Sequence, residues 1–119
     1  MRGRSSTPTK TVEFTPTLTK TRGNASLERI SGSRSGNVVT ISITFKNGTQ
    51  TAAGSNNFEG TLSNAPLPID TANGAGFYAS TLFCATITST GFFRNRVSVS
   101  TGYWYEGDTH TVTITYVCK

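Results

Sequence analysis

The chain has 119 residues, the size of one ordinary domain, and this length leaves no room for a second domain with its own core. Aromatic residues make up 10% of the chain, and the sequence has neither heptads nor a Gly-X-Y period, so a disordered chain, a coiled coil and a collagen are excluded. Thr supplies 22 positions and Ser 13, and Thr favours strands, so we expect a β-protein. No apolar run is long enough for a membrane helix, so we expect the protein to be soluble, without membrane insertion.

The net charge of +5 comes entirely from the first third of the chain. Residues 1–37 contain seven Arg and Lys residues against two Glu, whereas the cations and anions from residue 38 onward cancel. A basic segment of this kind can bind an acidic partner or nucleic acid, and it can equally be a solvated leader without a ligand. Because the charges are spread along the segment, we favour the solvated leader.

The N-terminal segment is predicted to be extended. Residues 1–11 contain no apolar pair and are predicted to form a basic tail. Val12 and Phe14 share one side of the extended segment that follows, and Pro16 cannot donate to a sheet ladder, so this segment is predicted to be an edge or connecting strand. Over residues 23–35, the sparse apolar residues predict a turn at the start and no regular element.

From residue 37 onward, apolar and polar residues alternate with a period of two, which places the apolar side chains on one face of a strand. Asn47-Gly48 is predicted to close the first such strand as a tight turn with positive φ, and residues 72–76 are predicted to form a surface loop. Further strands are predicted around residues 58–62 and over residues 78–89. The residues predicted to face the core are Val39, Ile41, Ile43, Phe45, Phe83, Ile87, Val97, Val99, Val112 and Ile114.

Glycines separate these runs at spacings that suit a fold of short antiparallel strands. We therefore predict an all-β fold, an antiparallel β-sandwich or jelly roll with an extended N-terminal arm. The organisation that follows is a tail over residues 1–11 and a single head domain over residues 12–119.

The two cysteines, Cys84 and Cys118, could form one disulfide bridge. The first residues lack the apolar segment of a signal peptide, so we expect synthesis in the cytoplasm. Structural disulfides belong to oxidising compartments, so free, buried thiols are favoured over a bridge.

Residues suited to catalysis are sparse. Glu106, Asp108 and His110 would lie on one side of an extended segment, where they could bind a divalent metal or act as an acid/base pair. A polar hairpin tip at Glu106-Gly107-Asp108 accounts for Gly107 better. We therefore expect no catalytic residue, no metal and no cofactor, and we expect the protein not to be an enzyme.

The densest mixture of aromatic rings and hydrogen-bonding groups lies near the C-terminus. Three successive aromatics cannot all face one core in a strand, so at least one of them should reach solvent. Ring faces beside carboxylates and imidazole suit polar ligands with apolar faces, such as sugars. The alternative is Trp104 as a core anchor, with both tyrosines at a rim. The predicted ligand-binding residues are Tyr103, Trp104, Tyr105, Glu106, Asp108 and His110, with Arg94 and Arg96 from the neighbouring run. The loop over residues 73–77 is the second candidate for the ligand site.

Four short segments carry a family resemblance. They are Phe14-Thr15-Pro16-Thr17-Leu18, Arg34-Ser35-Gly36-Asn37-Val38-Val39-Thr40-Ile41, Pro66-Leu67-Pro68-Ile69 and Thr111-Val112-Thr113-Ile114-Thr115-Tyr116-Val117. Over residues 12–119 the chain resembles the C-terminal domains of tailed-bacteriophage tail fibres and receptor-binding proteins. Such domains are β-sandwich or jelly-roll heads that trimerise and bind host surface saccharides, so the resemblance implies a virion protein for host attachment.

These observations lead to two hypotheses about the function. In the first, the chain is an adhesive head in the virion, a homotrimer that contacts other virion proteins, binds host surface glycan and has no nucleic-acid partner. Val12, Phe14 and Leu18 need an apolar surface and are the predicted oligomer contacts. The alternative is a small capsid decoration or head-fibre jelly-roll protein whose basic arm docks on the shell or on nucleic acid.

Overall fold

The computed structural model describes residues 10–49, 55–78, 81–98 and 105–119, so most of the predicted tail lies outside it. These ranges contain antiparallel strands and no helix, and hence none long and apolar enough to cross a membrane. The strands are β1 (Thr11–Phe14), β2 (Thr17–Arg22), β3 (Ser26–Ser35), β4 (Val38–Lys46), β5 (Asn56–Ser63), β6 (Ala72–Tyr78), β7 (Thr81–Ile87), β8 (Phe92–Val97) and β9 (Thr109–Val117). The predicted all-β, antiparallel fold is confirmed.

The strands form one curled sheet in the order β1-β3-β4-β9-β6-β7-β8-β5-β2. The first half of the sheet (β1, β3, β4, β9 and β6) faces the second half (β7, β8, β5 and β2), as in a β-sandwich. β1 and β2 end the sheet on opposite sides although only Thr15 and Pro16 separate them in the chain. The predicted edge position is confirmed for both, and Pro16 lies where no ladder hydrogen bond is required of it.

The core lies between the two halves of the sheet. Nine of the ten predicted core residues are fully buried, and the tenth, Val99, lies outside the described residues. Aromatic rings join the halves: the centroid of Phe45 on β4 lies 4.8 Å from that of Phe58 on β5 and 5.9 Å from that of Phe93 on β8. Burying each such side chain stabilises the fold by about 1.5–3 kcal/mol.

β3 is a ten-residue strand where the sequence predicts no regular element. Its apolar residues, Leu27 and Ile30, are only half-buried because β3 lies beside the edge strand β1. The strand is held mainly by its long antiparallel register with β4, and by the ring of Phe14, which lies directly over Gly32. A side chain at position 32 would overlap that ring.

One predicted surface loop and one predicted tight turn are wrong. Residues 72–76 form most of β6, which continues into the hairpin with β7, so the strand predicted over residues 78–89 is confined to Thr81–Ile87. Asn47-Gly48 ends β4, but neither residue has positive φ, and the Asn47 side chain is buried. Asn47 instead forms hydrogen bonds with His110 and with the turn that precedes β9.

The two cysteines are free, as predicted. Cys118 is buried, whereas Cys84 is only half-buried on the outer side of β7. The prediction of a buried thiol is therefore confirmed for Cys118 and wrong for Cys84.

Candidate binding site at the loop end

Several strand connections meet at one end of the domain, which we call the loop end. It comprises residues 23–25, 47–49, 77–78 and 105–108. The antiparallel registers bring these segments together, because the last residue of β4 pairs with the first residues of both β3 and β9. β6 runs antiparallel to β9, so its last residues reach the same end.

The turn over Tyr105–Asp108 is fixed to the end of β4. The Asn47 N–H donates to the Asp108 carbonyl oxygen at 2.6 Å, and the Gly107 N–H donates to the Asn47 carbonyl oxygen at 2.8 Å. Gly107 has φ 92°, a conformation that glycine adopts without strain. The turn predicted at Glu106-Gly107-Asp108 is thus present, but it is not the tip of a hairpin, because β8 and β9 are not neighbours in the sheet.

Side-chain hydrogen bonds hold the two carboxylates of this turn. The Tyr78 hydroxyl donates to Asp108 Oδ2 at 2.5 Å, and this bond raises the pKa of Tyr78 above its ordinary value. Thr49 Oγ1 donates to Glu106 Oε1 at 3.5 Å, and Asn24 Nδ2 donates to the Thr49 carbonyl oxygen at 2.5 Å. Glu106 and Asp108 are therefore positioned while remaining exposed.

Two aromatic rings project into solvent at the loop end. Phe77 is 67% exposed and Tyr105 is 63% exposed, and these are the largest exposed fractions among the large hydrophobic side chains of the described ranges. Phe77 lies on the outer side of β6, whereas Tyr105 begins the turn that carries the carboxylates. The end of the domain therefore combines ring faces with hydrogen-bond acceptors.

His110 lies beneath this surface, inside the core. Its ring stacks on Phe83 with centroids 3.7 Å apart and planes inclined by 12°. Asn95 Nδ2 lies 2.9 Å from His110 Nε2, so Nε2 accepts a hydrogen bond from Asn95. The ring proton is then on Nδ1, which donates a hydrogen bond to Asn47 Oδ1 at 2.5 Å. This tautomer is assigned from the hydrogen-bond partners. Burial lowers the pKa of His110 to about 4, so the ring is neutral at pH 7.

The predicted site is assembled only in part. Tyr105, Glu106 and Asp108 lie together on the turn, whereas His110 is buried and does not share their surface. Instead it supports the turn from below through Asn47. The other two predicted aromatics, residues 103 and 104, lie outside the described residues, and their part in ligand binding stays a prediction.

Arg94 and Arg96 lie apart from the turn. Both point outward from β8, on the second half of the sheet, while the intervening Asn95 points inward to His110. Arg94 lies over the ring of Phe92, with its Cζ 4.8 Å from the ring centroid. The arginines therefore belong to a different surface of the domain.

The predicted oligomer contacts differ in exposure. Val12 is 56% exposed, and Phe14 is half-buried over Gly32. Leu18 is buried within the domain, opposite Leu62 of β5. Val12 and Phe14 are the two of the three that remain accessible to a partner.

The second candidate loop over residues 73–77 contains Phe77, but sequence analysis did not single out Asn47, Tyr78 and Asn95 as residues of this region. For Asn95 a signal was available, because it occupies an inward position between Phe93 and Val97 on an alternating strand. A polar residue in such a position needs a buried partner. For Tyr78 the signal was hidden by the loop predicted over residues 72–76.

Among the described residues, no group of three His, Cys, Asp or Glu side chains could hold a metal ion. A scan against protein-family models finds no match for this chain, and a search of the curated proteins finds none. The functional argument therefore depends on the surface itself.

Proposed function

We propose that this domain is a non-enzymatic adhesion module that binds host surface saccharide at its loop end, as the receptor-binding head of a tail-fibre-like bacteriophage virion protein. The observation that carries the proposal is the pair of exposed rings, Phe77 and Tyr105, beside two exposed carboxylates held in place by hydrogen bonds. The sequence resemblance to tail-fibre domains supports the virion and host-attachment part.

The proposed chemistry follows from the two kinds of group. A sugar ring has apolar C–H faces that can stack on Phe77 and Tyr105, and hydroxyls that can donate to Glu106 and Asp108. Because the Tyr78 hydroxyl already holds Asp108, little of the entropy of that side chain is lost on binding. Ligand contacts on loops supported by a rigid scaffold are the usual arrangement in binding domains.

A single shallow site of this type binds a saccharide weakly. The homotrimer that the resemblance implies would strengthen binding. In a homotrimer three copies of the loop end would engage one glycan-covered surface. Linked sites gain avidity of 10²–10⁴-fold without any new contact, provided that the geometry allows simultaneous engagement. We therefore place the function in the assembled trimer.

Binding to an array of bacterial surface oligosaccharides tests the proposal, with the protein displayed on beads to provide avidity. Phe77→Ala and Tyr105→Ala should each lower binding at least tenfold, because each removes one stacking face. Ile69→Ala is the matched control, because Ile69 is 51% exposed at the opposite end of the domain. All three variants should melt close to the wild type, because these side chains contribute little to the core.

Two outcomes would count against the proposal. Wild-type protein that binds no oligosaccharide on the array would remove the proposed function. Equal binding by the wild type and both loop-end variants would place the saccharide site elsewhere on the domain.

A further inference from the structure

Three arginines lie together on the outer face of the second half of the sheet. Arg94 and Arg96 project outward from β8 on either side of the buried Asn95. Arg22 lies on β2, and the register places Glu59 of β5 between it and Arg94. Asn56, opposite Arg96, completes the group. We call this surface the arginine face, comprising Arg22, Asn56, Glu59, Arg94 and Arg96.

The sheet sets the spacing of the three guanidinium groups. Arg94 and Arg96 are two residues apart on one strand, so their Cα atoms are about 7 Å apart. Arg22 and Arg94 lie on strands separated by β5, which corresponds to about 10 Å. The three positive groups therefore form a regular array on neighbouring strands of the sheet.

Two of the guanidinium groups have fixed partners. Arg22 Nε lies 4.0 Å from Glu59 Oε1, while Asn56 Nδ2 donates to Glu59 Oε2. Arg94 lies over the Phe92 ring in a cation–π arrangement at 4.8 Å. Both arginines remain exposed, so their guanidinium groups are accessible to a ligand.

The charge of this surface is not balanced. Three exposed arginines surround one carboxylate, Glu59, which is buried and already shared between Arg22 and Asn56. The excess of two positive charges faces solvent. Guanidinium groups bind carboxylate, sulfate and phosphate through paired hydrogen bonds, so the matching ligand carries repeated anionic groups.

The structure favours a polysaccharide over a nucleic acid as the polyanion. Proteins that bind single strands combine cationic grooves with free aromatic rings on which bases stack. On the arginine face the ring of Phe92 is covered by Arg94. Duplex DNA is read by a helix or a two-stranded ribbon in the major groove, whereas this surface is the outer side of several neighbouring strands.

We infer that the arginine face is a second binding site, which takes an acidic polysaccharide carrying carboxylate, sulfate or phosphate groups. Its side chains project from the outer face of β2, β5 and β8, whereas the rings and carboxylates proposed to bind at the loop end lie on β6 and on the turn before β9. The two sites can therefore be tested independently, and failure of one leaves the other standing.

Binding of wild-type protein to dextran sulfate, measured over a series of salt concentrations with neutral dextran as the blank, tests this site. Arg94→Gln combined with Arg96→Gln should weaken binding at least tenfold and reduce its salt dependence, because two ion contacts are lost. The control pair is Arg29→Gln with Lys46→Gln. It removes the same charge from exposed positions on β3 and β4, in the other half of the sheet.

The control pair should bind dextran sulfate within twofold of the wild type. An equal loss in the control pair would overturn the inference, because binding would then follow net charge and not this face. No binding of wild-type protein at low salt would overturn it as well. Single-stranded DNA that displaces dextran sulfate at a lower concentration of anionic groups would assign the face to nucleic acid instead.

Discussion

At the scale of single residues, His110 links the core to the candidate site. Its ring is stacked on Phe83 in the interior, and its Nδ1–H bonds to Asn47. The backbone of Asn47 in turn holds both Gly107 and Asp108 of the turn. One buried imidazole therefore contributes to stability and to the position of the exposed carboxylates.

This burial predicts an acid-sensitive domain. The unfolded chain binds a proton at His110 near its ordinary pKa of 6.5, whereas the folded chain does so only near 4. The unfolded state therefore binds more protons as the pH falls from 6.5 to 4. Stability is fully present above pH 6.5 and declines across that window by on the order of 3 kcal/mol.

Urea unfolding of the wild type and of His110→Gln at several pH values measures this contribution. The variant should be less stable at pH 7, because it loses the ring stack, but it should lack the part of the pH dependence that belongs to His110. The difference between the two pH profiles measures the contribution of the imidazole. Parallel pH profiles for the two proteins would show that His110 does not titrate as described.

At the scale of elements, β6 shows how glycine permits close strand packing. Gly74 and Gly76 lie directly against the backbone of β9, where a Cβ atom would overlap the carbonyl oxygens of Thr113 and Thr111. The outward residue between them, Ala75, is exposed. The glycines therefore allow β6 to join the two halves of the sheet.

Gly76→Ala is expected to lower the free energy of unfolding by about 1–3 kcal/mol, because the new methyl group meets rigid backbone and not a movable side chain. Ala75→Ser is the matched control on the same strand and should be close to neutral. Thermal unfolding of both variants measures the effect. A Gly76→Ala protein that melts with the wild type would mean that β6 and β9 are farther apart than described.

The elements that the sequence predicts are those whose apolar residues alternate. β4, β8 and β9 have this pattern because one side of each faces the core, and burial then selects Val, Ile and Phe at every second position. β3 lacks it because it lies near the edge and is held largely by backbone pairing. β6 is hidden because close packing requires glycine, which also occurs in loops.

The candidate site, too, could be predicted from the sequence only where the signal is local. The turn at Glu106-Gly107-Asp108 could be predicted because Gly107 and its polar neighbours are a local signal. The contacts of Asn47 with His110 and with the turn could not, because they join residues more than 50 positions apart in the chain. Pairings of this kind depend on the sheet topology.

At the scale of the whole molecule, the proposed trimer requires an accessible contact surface. β1 is one end of the sheet and carries the exposed Val12, with Phe14 half-buried beside it. Edge strands with apolar side chains are natural sites of association. Light scattering should give three times the chain mass, and Val12→Lys should shift the protein towards monomer.

A monomer mass for the wild type at tens of micromolar would count against this assembly. It would favour the alternative of a small capsid-associated protein that docks on a shell through its basic N-terminal segment. Binding by that segment should weaken with salt, because its cations are exposed where the structure describes them.

The most direct test of the adhesion proposal is an NMR titration of the isotope-labelled protein with the oligosaccharide that binds best on the glycan array. Backbone amide shifts should change at the loop end, over residues 47–49, 77–78 and 105–108. Tyr105→Ala should abolish those changes without altering the rest of the spectrum. Shift changes clustered around Ile69 and Val117 at the opposite end, or no changes at all, would contradict saccharide binding at the loop end.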